Sequence, residues 1–336
     1  MKNTPSISRF VVSVVMLFAL VAASSIAIIK TVPVVGHDYF ATFSTKHSRL
    51  WSLEGPKLVI VGGSNATFSF ASEVLERELE VGVVNMGLHV SLGMQFMLRE
   101  VHGKIAPGDI VILSPEYEQF VGEYMYGDHV LGELVLRETR ALAFMETPSQ
   151  FLQVLTALPI VTRNAVISNL HPDRVLDPMY LTSGFNKYGD IEISMPAKTG
   201  GKLRFPALRP EDLNQEAISS IAEFSRRVRA EGGECFLSYP SVPDTMYRRN
   251  AAFFSRLHTA LSAERDIIIL GTPAEQTHPD SFCYDTHYHL RTKAMRIANT
   301  EFIAKRLRNH PSYLVHTRES AAKPISEDPP IIHAGS

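Results

Sequence analysis

The chain has 336 residues, 45% of them hydrophobic and 20% charged, with a formal net charge of -2. That supplies a sizeable core for one large α/β domain or two small ones, and the near-neutral balance lacks the basic surplus expected of a nucleic-acid-binding protein. The two cysteines, Cys235 and Cys283, are too few for a disulfide framework and lack the C-x-x-C spacing of a zinc site; two buried thiols, or one disulfide if the domain is exported, are both open.

Phe10 to Ile29 is an uncharged run, preceded by Lys2 and Arg9 and followed by Lys30. At about 1.5 Å per residue, such a run crosses a bilayer core of about 30 Å as a helix. An uncleaved anchor fits this length better than a signal peptide, whose apolar stretch is on the order of 7–15 residues. Ala22, Ala23, Ser24 and Ser25 keep cleavage open, and a buried core helix is the third reading. Positive charge before the run places the amino end in the cytoplasm and the rest of the chain on the periplasmic or extracellular side of the inner membrane.

Residues 31–56 show no clear period and read as a juxtamembrane linker. Lys57 to Val61 is a continuous apolar run ending in Gly62-Gly63, as expected of a strand buried on both faces. Ala66 to Glu80 has helical spacing, with Phe68, Ala71, Val74, Leu75 and Leu79 on one side. Further strands are expected at Val81–Asn85, Asp109–Leu113, Glu234–Tyr239 and Asp266–Leu270, with helices at Met94–His102, Glu211–Glu231, Ala251–Leu261 and Thr292–Leu307. This alternation predicts an α/β fold with a parallel sheet of about five strands, wound in the flavodoxin-like order 2-1-3-4-5 as a three-layer sandwich. Residues 120–209 interrupt it and are too long for a loop, so an inserted cap is expected, with helical pieces at Leu131–Met145 and Ser149–Leu158. The α/β domain is thus expected over 57–316, after an anchor or signal at 1–30. A polar, Pro-rich tail at 317–336 reads as disordered.

Ligands of open α/β sheets sit beyond the carboxyl ends of the strands, and three segments converge there. Gly62-Gly63-Ser64-Asn65 follows the first strand; a serine on that turn is exposed beside backbone N–H groups able to steady an oxyanion. Its plainer reading is a helix N-cap. The segment has no G-x-x-x-x-G-K-[ST] phosphate loop, and Asn65-Ala66-Thr67 matches a glycosylation sequon. Asn85-Met86-Gly87 follows the second strand, where a glycine either offers its N–H to a ligand or simply makes a turn. Cys283 to Leu290 holds Asp285, His287 and His289, a base and an orienting acid within five residues. Such a cluster could instead bind zinc, with His89 and His278 the only further ligand candidates, or be satisfied surface histidines.

In order and placement these segments resemble the SGNH/GDSL hydrolase superfamily: Gly63-Ser64-Asn65 as the first block, Asn85-Met86-Gly87 as the second, and Asp285 to His289 as the last. The likeness covers about Leu58 to Leu307. It implies a serine-dependent acyl-ester hydrolase or O-acyltransferase with Ser64 as nucleophile, His289 as base and Asp285 as orienting acid, and with no metal and no organic cofactor. It also implies an envelope acyl ester or acetylated glycan as substrate. Two features depart from the family. Its third block usually supplies an asparagine to the oxyanion hole, whereas Ser114-Pro115-Glu116-Tyr117-Glu118 has none; the hole then rests on Ser64, Gly87 and Asn65, and Glu116 is either structural or a binder of a substrate hydroxyl. The acid and base are usually three apart, but Asp285 and His289 are four apart, leaving His287 as a rival base. A fold that kept the architecture and lost the chemistry, as a glycan-binding assembly protein, is the alternative.

Overall fold

The computed structural model describes residues 7–31, 38–122, 124–171, 180–195 and 203–322. It opens on a 25-residue apolar helix, α1 (Ile7–Thr31), most of which is exposed. The helix is long and apolar enough to be a membrane anchor or a signal sequence. α2 (Asp38–Ser52) occupies the stretch expected to be a linker. It was hidden because its buried face mixes Phe43 and Leu50 with Thr42, Lys46 and His47, which blurs the apolar period.

The α/β unit is a parallel sheet in the order β2-β1-β3-β4-β6. Its strands are β1 (Lys57–Gly62), β2 (Gly82–Asn85), β3 (Ile110–Ser114), β4 (Glu234–Leu237) and β6 (Ile268–Ile269). β5 (Val242–Pro243) and β7 (Thr277–His278) form a separate parallel pair too short to show a sequence period. The fifth strand of the large sheet therefore takes the edge position expected of it, although only two of its residues pair. The strands are apolar on both sides because both faces are covered. Val59, Val61, Val111, Leu113 and Leu237 face one core cluster; Leu58, Ile60, Ile110, Ile112 and Phe236 face the other.

α3 (Ser64–Ser69) and α4 (Ser72–Leu79) replace the single helix expected over Ala66–Glu80. The break at Phe70–Ala71 has no Gly or Pro to announce it. It is made by tertiary contacts: Ala71 N–H donates to Thr300 Oγ1 (2.8 Å), and Ser72 N–H donates to Asp190 Oδ2 (2.6 Å). α5 (Met94–Val101) follows β2. The inserted region holds α6 (His129–Arg137), a 3-10 turn at Thr139–Phe144, and α7 (Pro148–Leu170), a longer helix than the Ser149–Leu158 piece expected. α7 packs against α6 and α1. The remaining helices are α8 (Gln215–Ala230), α9 (Asp244–Arg249), α10 (Ala251–Ala263), α11 (Lys293–Arg308) and α12 (Pro311–Ala322). α12 runs into the segment read as a disordered tail as far as Ala322; residues 323–336 lie outside the described residues. Both cysteines are free and buried, which answers the disulfide alternative.

A buried ion pair fixes where β1 and β3 begin. Asp109, fully buried, accepts from Lys57 Nζ (2.6 Å), Lys57 N–H (2.9 Å) and Ala106 N–H (2.8 Å). Removing one member leaves the other charge buried without compensation, at a cost of about 3–5 kcal/mol. Asp109→Ala is expected to lower the unfolding free energy by that amount in denaturant titrations followed by circular dichroism. A loss under about 1 kcal/mol, the value of an exposed pair, contradicts this account of the sheet's register.

Candidate active site

The register of the sheet decides which segments meet. Gly62, the last residue of β1, pairs with Ser114, the last of β3, and Ile60 pairs with Asn85 at the end of β2. The turns after these three strands therefore leave the same edge side by side. Contact there is close: a Cβ on Gly62 would lie 2.6 Å from the Ser114 carbonyl, and one on Gly63 2.5 Å from Glu116 Oε1. Only glycines allow that approach.

Ser64, partly exposed between buried neighbours, stands 3.0 Å (Oγ) from His289 Nε2. His289 Nδ1 stands 2.8 Å from Asp285 Oδ1, and Tyr180 O–H donates to Asp285 Oδ2 at 2.5 Å. The imidazole is buried, stacked on Phe68 with ring centres 3.9 Å apart. Tyr39 and Tyr180 extend that aromatic wall. Tyr284 N–H donates to the His289 carbonyl (2.8 Å), and Cys283 bridges Leu290. This tight hairpin carries Asp285 and His289 four positions apart and still lets them meet. His289 then reaches the serine from the loop that leads into α11.

His287 is placed elsewhere. Its Nε2 lies 3.0 Å from Glu118 Oε1, whose other oxygen accepts from Tyr288 O–H at 2.5 Å. Burial pushes the Glu118 carboxyl up, but the hydrogen bond and charge of His287 together with Tyr288 outweigh it and hold the group below its usual value. The structure therefore brings together Ser64, His289 and Asp285 and leaves His287 to a different partner. Among the described residues no group of three His, Cys, Asp or Glu side chains is placed to hold a metal ion.

The expected oxyanion donors are largely engaged. Gly87 N–H donates to Asn85 Oδ1 (2.9 Å), while Asn85 Nδ2 donates to the Ala66 carbonyl (2.8 Å) and Asp190 Oδ1 (2.7 Å). The Asn65 side chain turns into the core and donates to the Ser114 carbonyl (3.0 Å) and Oγ (3.1 Å). Neither group is thus free to hold an oxyanion in the way the sequence suggested, because both tie α3 to the neighbouring strand ends.

Glu116 follows β3 and lies beside Ser64. Its buried Oε1 lies 3.2 Å from Ser64 Oγ and accepts from Asn65 N–H (3.1 Å). Burial, assisted by the charge of Glu118, pushes this carboxyl up to about 8 against the hydrogen bonds from Asn65 and Ser64. Tyr180 was not singled out from the sequence, since it lies in the inserted region with no motif around it. His89 accepts from Ser91 N–H and is lowered to about 4 by burial, so it stays neutral beside the site.

No protein-family model matches this chain, and no curated protein matches it at a significant level.

The glycine after β2 is required by packing. A Cβ there would lie 2.5 Å from the Ala66 Cβ and 2.9 Å from the Gly63 carbonyl, and overpacking of this kind costs about 1–3 kcal/mol. Gly87→Ala is expected to lower the unfolding free energy within that range in denaturant titrations. An unchanged stability contradicts the close approach described.

Proposed function

We propose that this chain is a membrane-anchored serine acyl-ester hydrolase or O-acyltransferase of the SGNH/GDSL kind, with the flavodoxin-like layering of that superfamily. The observation that carries the reading is the unbroken hydrogen-bond chain from Ser64 Oγ through His289 to Asp285. A serine is a weak nucleophile until a base takes its proton, and that base works only if a third group holds its tautomer. His289 takes the Ser64 proton as Oγ attacks the ester carbonyl, and the carbonyl electron pair moves to oxygen. Collapse of that intermediate expels the alcohol, which takes the proton back from His289, and leaves an acyl-serine. Water or a sugar hydroxyl then gives its proton to His289 and attacks the acyl carbon, and collapse of the second intermediate expels Ser64 Oγ, which takes that proton back from His289. Asp285 stabilises the imidazolium at each stage, with Tyr180 fixing the carboxylate. An acyl ester of an envelope glycan suits a site tethered by α1, with the globular part outside the inner membrane.

Glu116 supplies what the absent asparagine would. A neutral carboxylic acid can donate its O–H to a developing oxyanion as an amide N–H does, and the Glu116 carboxyl already touches the nucleophile and the Asn65 N–H. A second reading has its own support: with Gly87 N–H held by Asn85 and Asn65 N–H held by Glu116, the same arrangement suits an inert glycan-binding protein that retains the fold.

Turnover of p-nitrophenyl acetate by the full chain separates these readings. Ser64→Ala and His289→Ala are each expected to lower kcat by at least about 10³-fold, as for residues acting as one unit, while His287→Ala acts through Glu118 and costs far less. Equal activity of wild type and Ser64→Ala contradicts the catalytic reading and leaves the binding one.

The acid form of Glu116 gives the pH profile a sign. Its neutral fraction falls as pH rises through about 8, so wild-type kcat is expected to decline on that limb. Glu116→Gln keeps a donor at every pH and is expected to lose this decline, whereas Glu116→Ala loses about 10²–10³-fold at neutral pH. An unchanged alkaline limb in Glu116→Gln contradicts the role assigned to the acid.

A further inference from the structure

A helix that is apolar on all sides belongs in a protein core or in lipid. α7 has 23 residues, one of them charged (Arg163), and enough hydropathy to cross a membrane, yet only 22% of its most apolar window is buried. Beyond Gln150 in its first turn, its buried residues are small or medium: Ala157, Val161, Ala165 and Ser168, at spacings of four, four and three. They fall on one face of the helix, and α7 packs against α6 and α1. Gly132 of α6 lets the first pair approach closely, since a Cβ there would lie 2.2 Å from the Gln153 carbonyl and 2.6 Å from the Ala157 Cβ.

The seat on α1 sets the environment of α7. Ile29, near the end of α1, forms one buried cluster with Leu136, Ala157 and Val161, and Lys30 Nζ donates to the Arg137 carbonyl at 2.8 Å. Ala165 and Ser168 lie one and two turns beyond that cluster along α7. Large apolar side chains share the outward surface with Thr156, Arg163 and Asn169: Leu152, Leu155 and Leu170 are each more than half exposed, with Phe151, Val166 and Ile167 close behind. α1 also exposes large apolar side chains, among them Phe10, Phe18 and Leu20, and it packs against α7. Water is a poor solvent for exposed apolar side chains clustered on two packed helices.

We propose that α7 is a second membrane-embedded element, lying against α1 with Leu152, Leu155 and Leu170 in contact with lipid acyl chains. Arg163, exposed and donating to the neighbouring Asn164 Oδ1, extends its stem through the apolar layer so that the guanidinium reaches the headgroup phosphates. Tyr180, which holds Asp285, follows α7 in the chain, so the Ser64 site is held at the bilayer surface on two supports, where an acyl donor or acceptor carried by a lipid can reach it. The inference rests on the anchoring role of α1 and deepens it.

Site-directed spin labelling of the full chain in vesicles of phosphatidylethanolamine and phosphatidylglycerol tests this. Cys235 and Cys283 can stay in place, because both are buried and burial pushes each thiol up to about 12, which suppresses their reaction with the label. Labels at Leu155→Cys and Leu170→Cys are compared with a lipid reference, Phe18→Cys, and an aqueous reference, the exposed Ser262→Cys. The expected result is that both α7 labels collide with oxygen more than with a water-soluble nickel chelate, in a ratio close to that of Phe18→Cys. Ratios like that of Ser262→Cys overturn the proposal and leave the anchor intact. An aqueous ratio at Phe18→Cys as well overturns both. Labels shielded from oxygen and nickel alike show a protein partner on this face and overturn the lipid assignment.

Discussion

The hydrogen bond between Ser64 Oγ and His289 Nε2 joins two parts of the chain that are 225 residues apart. Its 3.0 Å length depends on a condition met far from either side chain, namely that every strand of the large sheet runs the same way. In a parallel sheet all turns of one kind leave the same edge, so a serine after β1 and a histidine after β6 meet without any local signal directing them. Phe68 completes the constraint, because its ring stacks on the imidazole and comes from α3, the helix that Ser64 begins. Ser64 and His289 are thus held by a common element.

The same edge shows how partners set the state of a buried carboxyl. After β3, Glu116 places its carboxyl beside the Ser64 hydroxyl and accepts from the Asn65 N–H. A buried carboxylate is costly, and the environment favours its acid form. Glu118, two positions on, shows the opposite outcome from nearly the same burial, because His287 and Tyr288 supply it with donors and a charge. One short segment thus holds a proton-keeping carboxyl and a proton-losing one, set apart by their partners. Asn85 has a comparable hold on the turn after β2, where Lys46 and Asp190 close the network from α2 and the inserted region.

The strands and the meeting of Ser64, His289 and Asp285 were legible because a buried parallel strand is a short apolar run and strand ends are where loops converge. Other features depended on partners distant in sequence. The break between α3 and α4 is made by Thr300 and Asp190, and no local residue marks it. α2 was obscured by buried polar side chains whose partners lie far along the chain, as with His47 on Glu100 and Lys46 on the Asn85 and Gly189 carbonyls. Gly87 looked like a donor because sequence cannot show that Asn85 would take its N–H. Tyr180 had no motif to identify it, since its role comes only from the return of the chain to Asp285.

If the central hydrogen bond activates Ser64, the serine should be the one hydroxyl in the chain that reacts quickly with a phosphonylating reagent. Intact mass and peptide mapping after brief exposure of the full chain to a fluorophosphonate measure this directly. The account predicts a single adduct on the peptide carrying Ser64, strongly reduced in His289→Ala and still formed in His287→Ala. An unmodified Ser64 in the folded wild-type chain, or an adduct formed equally well without His289, contradicts it.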